Sequence, residues 1–297
     1  MGTPDFAVNP LKRLYSDGHD IACVVTQPDK PRGRGMKAAG NPVKKLAMEN
    51  GAEAYQPVSL KNDEITGILS DMRCDLIAVV AYGKLLPRAI LDIPPLGCIN
   101  IHGSLLPKYR GAAPVQRAVL NGEKETGVTS MYLSEELDAG DILLSRKTIV
   151  GEDETAGELS DRLSILGAEL LSDSIDAIAR NTAVRIPQNH AAATFAPLLS
   201  RDLSPIDWTG SAYNVKCHVR GLNPWPMATV DLNGTVCKVF SVEIGDIKTL
   251  ERPGTILSAG KDGIEIACGD GTVRITELQA PGGKRMAAAD YLRGHSI

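Results

Sequence analysis

Three short, continuous apolar runs constrain the fold of this chain more than any other feature. They lie at residues 21–26 (IACVVT), residues 75–81 (DLIAVVA) and Cys98–His102 (CINIH), and they are rich in β-branched residues. Such runs are typical of strands buried on both faces, as in a parallel sheet that helices cover. A long helical pattern over residues 155–178, with leucines along one face, fits this arrangement. The first two-thirds of the chain therefore predict an α/β domain with a Rossmann-like open parallel sheet.

The pattern changes in the last third of the chain, where short alternating segments are separated by turns. Ala228–Leu232 and residues 235–240 flank Asn233-Gly234, which is a strong hairpin signal. A second pair of such segments, residues 264–268 and 273–278, flanks Gly-Asp-Gly. This part predicts a small β-barrel or sandwich.

The change in pattern also suggests where the domains begin and end. We expect an α/β domain over residues 1–180 and a β domain over residues 205–297. Between them, residues 181–204 contain a proline and alanine-rich stretches, which suits a linker.

Composition excludes several classes of protein. The formal net charge is −4, which argues against a protein that coats nucleic acid non-specifically but allows a local basic patch. The six cysteines are scattered without a CxxC pair, as expected of thiols in a reducing cytoplasm. We see no signal peptide and no apolar run of the roughly 20 residues that a membrane span needs. The α/β part also lacks a GxGxxG motif, so a nicotinamide enzyme is not expected.

The stretch that carries most chemical information is residues 97–111 (GCINIHGSLLPKYRG). Asn100 and His102 are two apart at the end of a predicted strand, so their side chains share one face. Open α/β sheets bind their ligands at this end of their strands. The following Leu105-Leu106-Pro107 offers a stiff apolar lip for a flat ring. The alternative is that His102 is a structural histidine with satisfied hydrogen bonds.

A second stretch, residues 137–141 (LDAGD), places Asp138 and Asp141 on either side of a glycine, just before a strand. Alone, this pattern is typical of an ordinary turn. Beside an Asn/His pair, it becomes a candidate for a general base. The histidine and aspartates lack the spacing of a metal site, so we expect no metal.

A third stretch, residues 27–45, is strongly basic and rich in glycine and proline, and Asp29 is its only acid. Such a charge run is either solvated surface or a loop suited to a phosphate backbone. Its basic residues are Lys30, Arg32, Arg34, Lys37, Lys44 and Lys45.

Taken together, these motifs resemble the 10-formyltetrahydrofolate formyltransferase family. Residues 97–111 are similar to its pattern of Asn-x-His followed by Ser-Leu-Leu-Pro and Arg-Gly, and residues 137–141 match its Leu-Asp-x-Gly-Asp. The basic stretch and residues 223–227 (NPWPM) resemble the branch that acts on methionyl-tRNA, and the resemblance covers essentially the whole chain.

The resemblance implies an activity, a fold and a set of site residues. The expected reaction moves a formyl group from 10-formyltetrahydrofolate to the α-amino group of initiator methionyl-tRNA, and the C-terminal part resembles an OB-fold. Asn100 and His102 would donate hydrogen bonds to the oxyanion, while Asp138 would hold His102 and accept the proton that leaves the amine. The folate-binding residues would be Ser104, Leu105, Leu106, Pro107 and Asp141. The tRNA-binding residues would be Arg32, Arg34 and Lys37.

Two alternatives remain open at this stage. A sister formyltransferase or formyl hydrolase that acts on a small amine or amino sugar would keep Asn100, His102 and Asp138 without needing the basic loop. A non-catalytic RNA-binding protein would not need the three together. We expect a cytoplasmic monomer.

The resemblance also shows departures at both ends. Family members begin with a short strand before Gly-Thr-Pro-Asp-Phe, whereas here Met1 directly precedes Gly2. We therefore expect that the central first strand is missing and that the native start lies roughly eight residues upstream, a typical strand length. The end at Ile297 is also shorter than is usual in the family.

Overall fold

Parallel strands pair where the apolar runs predict them in this computed structural model, which describes residues 1–29 and 40–297. β1 (Val24–Val25) pairs in parallel with β2 (Ala54–Tyr55), and β3 (Ile77–Val80) pairs in parallel with β4 (Cys98–His102). Beyond β4 the sheet becomes antiparallel through β5 (Glu125–Tyr132) and β6 (Ile142–Ile149). The four-stranded sheet β3-β4-β5-β6 is thus mixed, and β1 and β2 form a separate parallel pair.

Met1 and Gly2 lie between β1 and β3. The Gly2 N–H donates to the carbonyl of Val25 at 3.0 Å, and the Val80 N–H donates to the carbonyl of Met1 at 2.9 Å. Beside them is an apolar cavity of about 440 Å³, lined in part by Cys23 and Ile77. Met1 and Gly2 therefore connect β1 and β3, at the place where we expected a longer first strand to belong.

The described part of the first 180 residues also contains six α-helices. They are α1 (Val8–Ser16), α2 (Pro42–Glu49), α3 (Asp63–Asp71), α4 (Arg88–Leu91), α5 (Pro114–Leu120) and α6 (Ala156–Ala179). Asn41 caps α2, where its side chain accepts hydrogen bonds from the N–H groups of Val43 and Lys44 at 3.1 and 3.3 Å. The predicted long helix is confirmed as α6, in which Leu159, Leu163 and Leu170 are buried.

The C-terminal part is built on an antiparallel sheet of the order β7-β8-β11-β10-β9. Its strands are β7 (Ala228–Leu232), β8 (Thr235–Gly245), β9 (Ile256–Gly260), β10 (Gly263–Ala267), β11 (Thr272–Gln279) and β12 (Met286–Ala287), the last paired with β11. Helices α7 (Ala212–Gly221) and α8 (Ala288–Leu292) belong to the same part. Both predicted hairpins are present. Among the described strands, β7 and β9 at the two ends do not pair, so the sheet is open rather than a closed barrel.

The chain divides into two compact units. Unit 1 contains Met1–Pro114, Glu125–Ile149 and Ser160–Ala196, and unit 2 contains Val115–Lys124, Val150–Leu159 and Pro197–Ile297. Each has its own apolar core, around Ile77, Val79 and Ile90 in unit 1 and around Val230, Val239 and Ile275 in unit 2. No helix in the described residues is long and apolar enough to cross a membrane.

Candidate active site

The strand β4 brings Asn100 and His102 to one position in unit 1. Asn100 pairs with Val79 on one side and Met131 on the other, and His102 pairs with Thr129. Both side chains are almost completely buried, with 8% and 6% of their surface exposed. Two polar side chains at one buried strand end are unusual unless they are paired or bind a ligand.

His102 is oriented by contacts on both sides of its ring. Nε2 lies 2.8 Å from the carbonyl oxygen of Tyr109, and because a carbonyl only accepts, Nε2 is the donor in this bond. Nδ1 faces Oδ2 of Asp138 at 3.6 Å, and both side chains are largely buried. The structure therefore brings together the predicted histidine and the predicted carboxylate. A ligand that takes a hydrogen bond from Nε2 must replace the Tyr109 carbonyl.

Asp138 lies in a tight turn before β6. Its φ of 49° places it in the left-handed region, which aspartate tolerates better than most residues. Its Oδ2 accepts a hydrogen bond from the N–H of Gly111 at 2.8 Å. Gly140 closes the turn, and a Cβ at this position would lie 1.9 Å from the carbonyl oxygen of Tyr132. The sequence pattern Leu-Asp-x-Gly-Asp thus has a steric reason at its glycine.

Two buried residues that sequence reasoning did not single out support this turn. Gln188 donates through Nε2 to the carbonyls of Asp138 and Gly140, at 2.9 and 2.8 Å. Its Oε1 accepts from Nε and Nη2 of Arg110 at 3.2 and 2.7 Å. Arg110 lies inside residues 97–111, where it is the arginine of the Arg-Gly that resembles the family pattern. Gln188 has no such signal, because it lies in the segment that we expected to be a linker.

Residues 181–196, the first part of the segment that we expected to be a linker, belong to unit 1. Ile186 pairs with Ile142 through two backbone hydrogen bonds of 2.8 and 2.9 Å. Further along, the Arg110 N–H donates to the carbonyl of Thr194, and the Ala196 N–H donates to the carbonyl of Arg110. This backbone pairing brings Gln188 to the site.

The loop predicted to bind folate follows β4 directly. Ser104 is fully buried, and its hydroxyl donates to the carbonyl of Lys108 at 2.6 Å. Leu106 is also buried, with its N–H bonded to the Thr129 hydroxyl at 3.1 Å. Leu105 and Pro107 are partly exposed. Of the four predicted loop residues, these last two therefore present apolar surface, while Ser104 shapes the loop.

Asp141, the fifth residue predicted to bind folate, is half-buried at the end of the turn. Its carbonyl accepts a hydrogen bond from the N–H of Tyr132 at 2.9 Å. The backbone of Asp141 thus belongs to the pairing that positions Asp138.

The residues predicted to bind tRNA, Arg32, Arg34 and Lys37, lie outside the described residues. The chain on either side of them is held by a polar cluster. Nζ of Lys44 lies 3.0 Å from Oδ2 of Asp29, and Gln56 donates to Oδ1 of Asp29 at 3.0 Å. The hydrogen bond from Gln56, followed by that from Lys44, lowers the pKa of Asp29. Asp29 therefore stays charged and neutralises Lys44.

The residues that the structure describes include no group of three or more His, Cys, Asp or Glu side chains arranged to hold a metal ion.

Comparison with known proteins covers nearly the whole chain. Residues 1–175 match the family described as Formyl transferase, and residues 199–296 match the Formyl transferase C-terminal domain. A protein of Acetivibrio thermocellus named Methionyl-tRNA formyltransferase is 47% identical over 298 residues, which covers 100% of this chain and 96% of that protein. A protein of the same name in Alkaliphilus oremlandii is 46% identical over 297 residues, with 100% and 96% covered.

A solved structure shows a similar fold. It is an N-formyltransferase of Helicobacter canadensis in complex with folinic acid and dTDP-3-aminofucose, with a TM-score of 0.65 at 17% identity. The match covers 92% of this chain and 96% of that one. The predicted family is therefore confirmed, and this chain belongs to the formyl transferase family.

Proposed function

We propose that this chain transfers the formyl group of 10-formyltetrahydrofolate to the α-amino group of initiator methionyl-tRNA. The observation that carries the proposal is the full-length identity of 46–47% to proteins named Methionyl-tRNA formyltransferase. His102 lies at the end of β4 and Asp138 in the turn before β6, with 3.6 Å between Nδ1 and Oδ2. This arrangement supplies the chemistry that such a transfer needs.

The reaction begins with attack of the amine on the formyl carbon. A free α-amine has an ordinary pKa of about 8, and the ester beside it lowers that value, so the unprotonated form is accessible near neutral pH and the amine needs little activation. A new C–N bond forms, and the carbonyl becomes an oxyanion in a tetrahedral intermediate. The bond from the formyl carbon to N10 of the folate then breaks. The proton lost by the amine must reach N10, because an unprotonated nitrogen is a poor leaving group.

Asn100 and His102 are the residues that we propose stabilise the oxyanion. Asn100 is buried on the same face of β4 as His102, and its side-chain amide carries two N–H groups that could donate to a ligand. Nε2 of His102 already donates to a carbonyl oxygen, and it would donate to the oxyanion once the Tyr109 carbonyl is replaced. Asp138 would orient His102 from the other side and accept the proton of the amine.

We propose that the pterin ring packs against Leu105 and Pro107, the two partly exposed apolar residues of the loop. Ser104 and Leu106 would keep the shape of that loop from within, and Asp141 would contribute through its backbone. The tRNA would bind the basic stretch, through Arg32, Arg34 and Lys37. All of these groups come from one chain, so we propose that a monomer carries out the reaction. We place that reaction in the cytoplasm.

A second candidate function is transfer of the formyl group to an amino sugar by a sister formyltransferase. The solved structure from Helicobacter canadensis contains an amino sugar nucleotide, but at 17% identity it supports the fold alone. A single experiment separates the two. The purified protein is incubated with 10-formyltetrahydrofolate and either charged initiator tRNA or a nucleotide-linked amino sugar, with His102→Ala as control.

We expect N-formylmethionyl-tRNA from the intact protein alone. Formylation of the amino sugar without formylation of the tRNA would replace the proposal by the second candidate.

A further inference from the structure

We infer that Gln188 is a positioning residue for Asp138 and thereby sets where the carboxylate lies beside His102. The inference rests on the proposed function and concerns a residue outside all the sequence motifs. Gln188 is buried, with 6% of its surface exposed, and it lies 50 residues along the chain from Asp138. A buried carboxamide is favourable only when its donors and its acceptor are all used.

The donors of Gln188 hold the backbone of the Asp138 turn. Both of its N–H groups are used, because Nε2 lies 2.9 Å from the Asp138 carbonyl and 2.8 Å from the Gly140 carbonyl. Asp138 has a φ of 49°, a conformation that even aspartate adopts less readily than glycine does. The two hydrogen bonds from Gln188 therefore stabilise a turn that its own backbone preferences disfavour.

The acceptor of Gln188 connects this turn to the loop after β4. Its Oε1 accepts from Nε and Nη2 of Arg110, which is itself buried. In the part of the chain that the structure describes, Arg110 has no carboxylate partner, and its other side-chain contact is with Nδ1 of His190 at 3.5 Å. The carboxamide oxygen is therefore the main acceptor for this buried cation.

The hydrogen bonds form a closed ring around Asp138. Its carboxylate accepts from the N–H of Gly111 at 2.8 Å, and its carbonyl accepts from Gln188, which is bound to Arg110. Arg110 and Gly111 are adjacent in the chain. Both ends of Asp138 are thus tied to the same dipeptide, one directly and one through Gln188. This arrangement fixes the direction of the carboxylate as well as its distance from His102.

Glutamine is the residue type that fits this position. Glutamate has nearly the same size and can still accept from Arg110, but it has no hydrogen for the two carbonyls. Gln188→Glu therefore keeps burial and an acceptor for the cation while it places carboxylate oxygen against carbonyl oxygen. If Gln188 only fills space or satisfies Arg110, this substitution is harmless. If it positions Asp138, the turn moves.

The test compares the steady-state kinetics of the full-length Gln188→Glu variant and the unsubstituted protein in formylation of methionyl-tRNA. Both are assayed below their unfolding temperatures, measured by circular dichroism. We expect kcat to fall about 10- to 100-fold, because a misplacement of roughly 1 Å at a reacting group costs about that much. KM for both substrates should stay within about threefold, since the substituted residue contacts neither substrate.

Gln279→Glu is the matched control. Gln279 also donates to a backbone carbonyl, that of Gly283 at 2.8 Å, but this hydrogen bond is exposed to solvent. This variant should keep normal kcat. Should Gln188→Glu fail to fold, Gln188→Asn takes its place, because the shorter amide cannot reach both Arg110 and the turn. It should show the same loss of kcat.

A second measurement needs no substrate. The ¹⁵N resonances of the His102 ring report its contact with Asp138, and they should shift in the folded Gln188 variant and stay unchanged in the Gln279→Glu control. An unchanged kcat together with unchanged ring resonances would overturn the positioning role. Failure of the unsubstituted protein to formylate tRNA would instead overturn the proposed function, and the ring resonances would still test the role of Gln188.

Discussion

Gly111 and Asp138 are joined by a hydrogen bond of 2.8 Å from the backbone N–H of the first to Oδ2 of the second, although they lie 27 residues apart. Gly111 ends the loop that follows β4, and Asp138 lies in the turn that precedes β6. Because the bond uses a backbone donor, it constrains the path of the loop as well as the side chain. The loop expected to contact the pterin and the carboxylate expected to accept the proton therefore move together.

The first prediction concerns the two residues that face each other at the site. His102→Ala and Asp138→Asn should each lower kcat by about 10²–10³, the usual cost of losing one preorganised group at an oxyanion site. Asparagine tolerates the left-handed conformation of residue 138, so the fold should persist. Circular dichroism would establish this, and Asp92→Asn on the exposed end of α4 serves as control. Near-normal turnover of His102→Ala would contradict the mechanism.

The second prediction concerns the basic stretch and rests on the sequence. Arg34→Ala should raise KM for tRNA, spare KM for the folate, and lower the slope of log affinity against log salt by about one. Arg88→Ala removes an exposed arginine paired with Asp92 on α4, and it should change neither quantity. The same KM and salt slope in both variants would show that Arg34 contacts no phosphate.

The third prediction concerns the glycine of the Asp138 turn. A methyl group at Gly140 would meet backbone oxygen at 1.9 Å, so Gly140→Ala should lower the free energy of unfolding by about 1–3 kcal/mol and reduce kcat. Gly67 in α3 has open space around it, and Gly67→Ala should instead raise stability by about 0.5–1 kcal/mol. Urea unfolding of both variants checks the signs. Equal stability of Gly140→Ala and the unsubstituted protein would mean that the turn has room to relax.

The fourth prediction concerns acid stability and His218 in α7. Burial lowers the pKa of this side chain, against weaker opposing effects of the backbone at Ser204 and Leu203 and of Asp207. The unfolded chain protonates this histidine below about pH 6.5, while the folded chain keeps it neutral. Unfolding therefore takes up a proton, and the free energy of unfolding falls as the pH drops through this range.

The measurement is urea unfolding at pH values on either side of this range, for the unsubstituted protein and for His218→Gln. The unsubstituted protein should lose more stability on acidification than the variant. The same loss in both would mean that His218 does not determine the acid response.

Local patterns predicted much of the fold because their causes are local. The hairpin at Asn233-Gly234 follows from turn geometry, and α6 follows from its row of leucines. The direction of β5 was not predictable in this way, because the pattern of a buried strand is the same for parallel and antiparallel neighbours. The open end of the C-terminal sheet has the same explanation, since strand patterns do not specify which edges meet.

The same distinction between local and long-range causes applies to the residues of the site. Asn100 and His102 share a face because they are two apart in one strand, which the sequence specifies directly. Asp138 came from a motif, and its distance of 3.6 Å from Nδ1 of His102 depends on the pairing of three strands. Gln188 was missed because its partners, two backbone carbonyls and the Arg110 side chain, lie 48, 50 and 78 residues away, and contacts with such distant segments leave no pattern in the sequence.

The order of the strands has a consequence for how the protein becomes active during synthesis. β4, β5 and β6 follow one another along the chain and pair in that order, so β4, which carries Asn100 and His102, pairs with a segment that follows it closely in the chain. Nascent chains fold from the N-terminal end as they emerge. The ribosome therefore releases Asn100, His102 and Asp138 well before Gln188, which comes after α6. A chain halted between Ile149 and Gln188 carries all three side chains but lacks the amide that holds the turn, so activity in a stalled-chain series should stay below its full value until residue 188 has emerged.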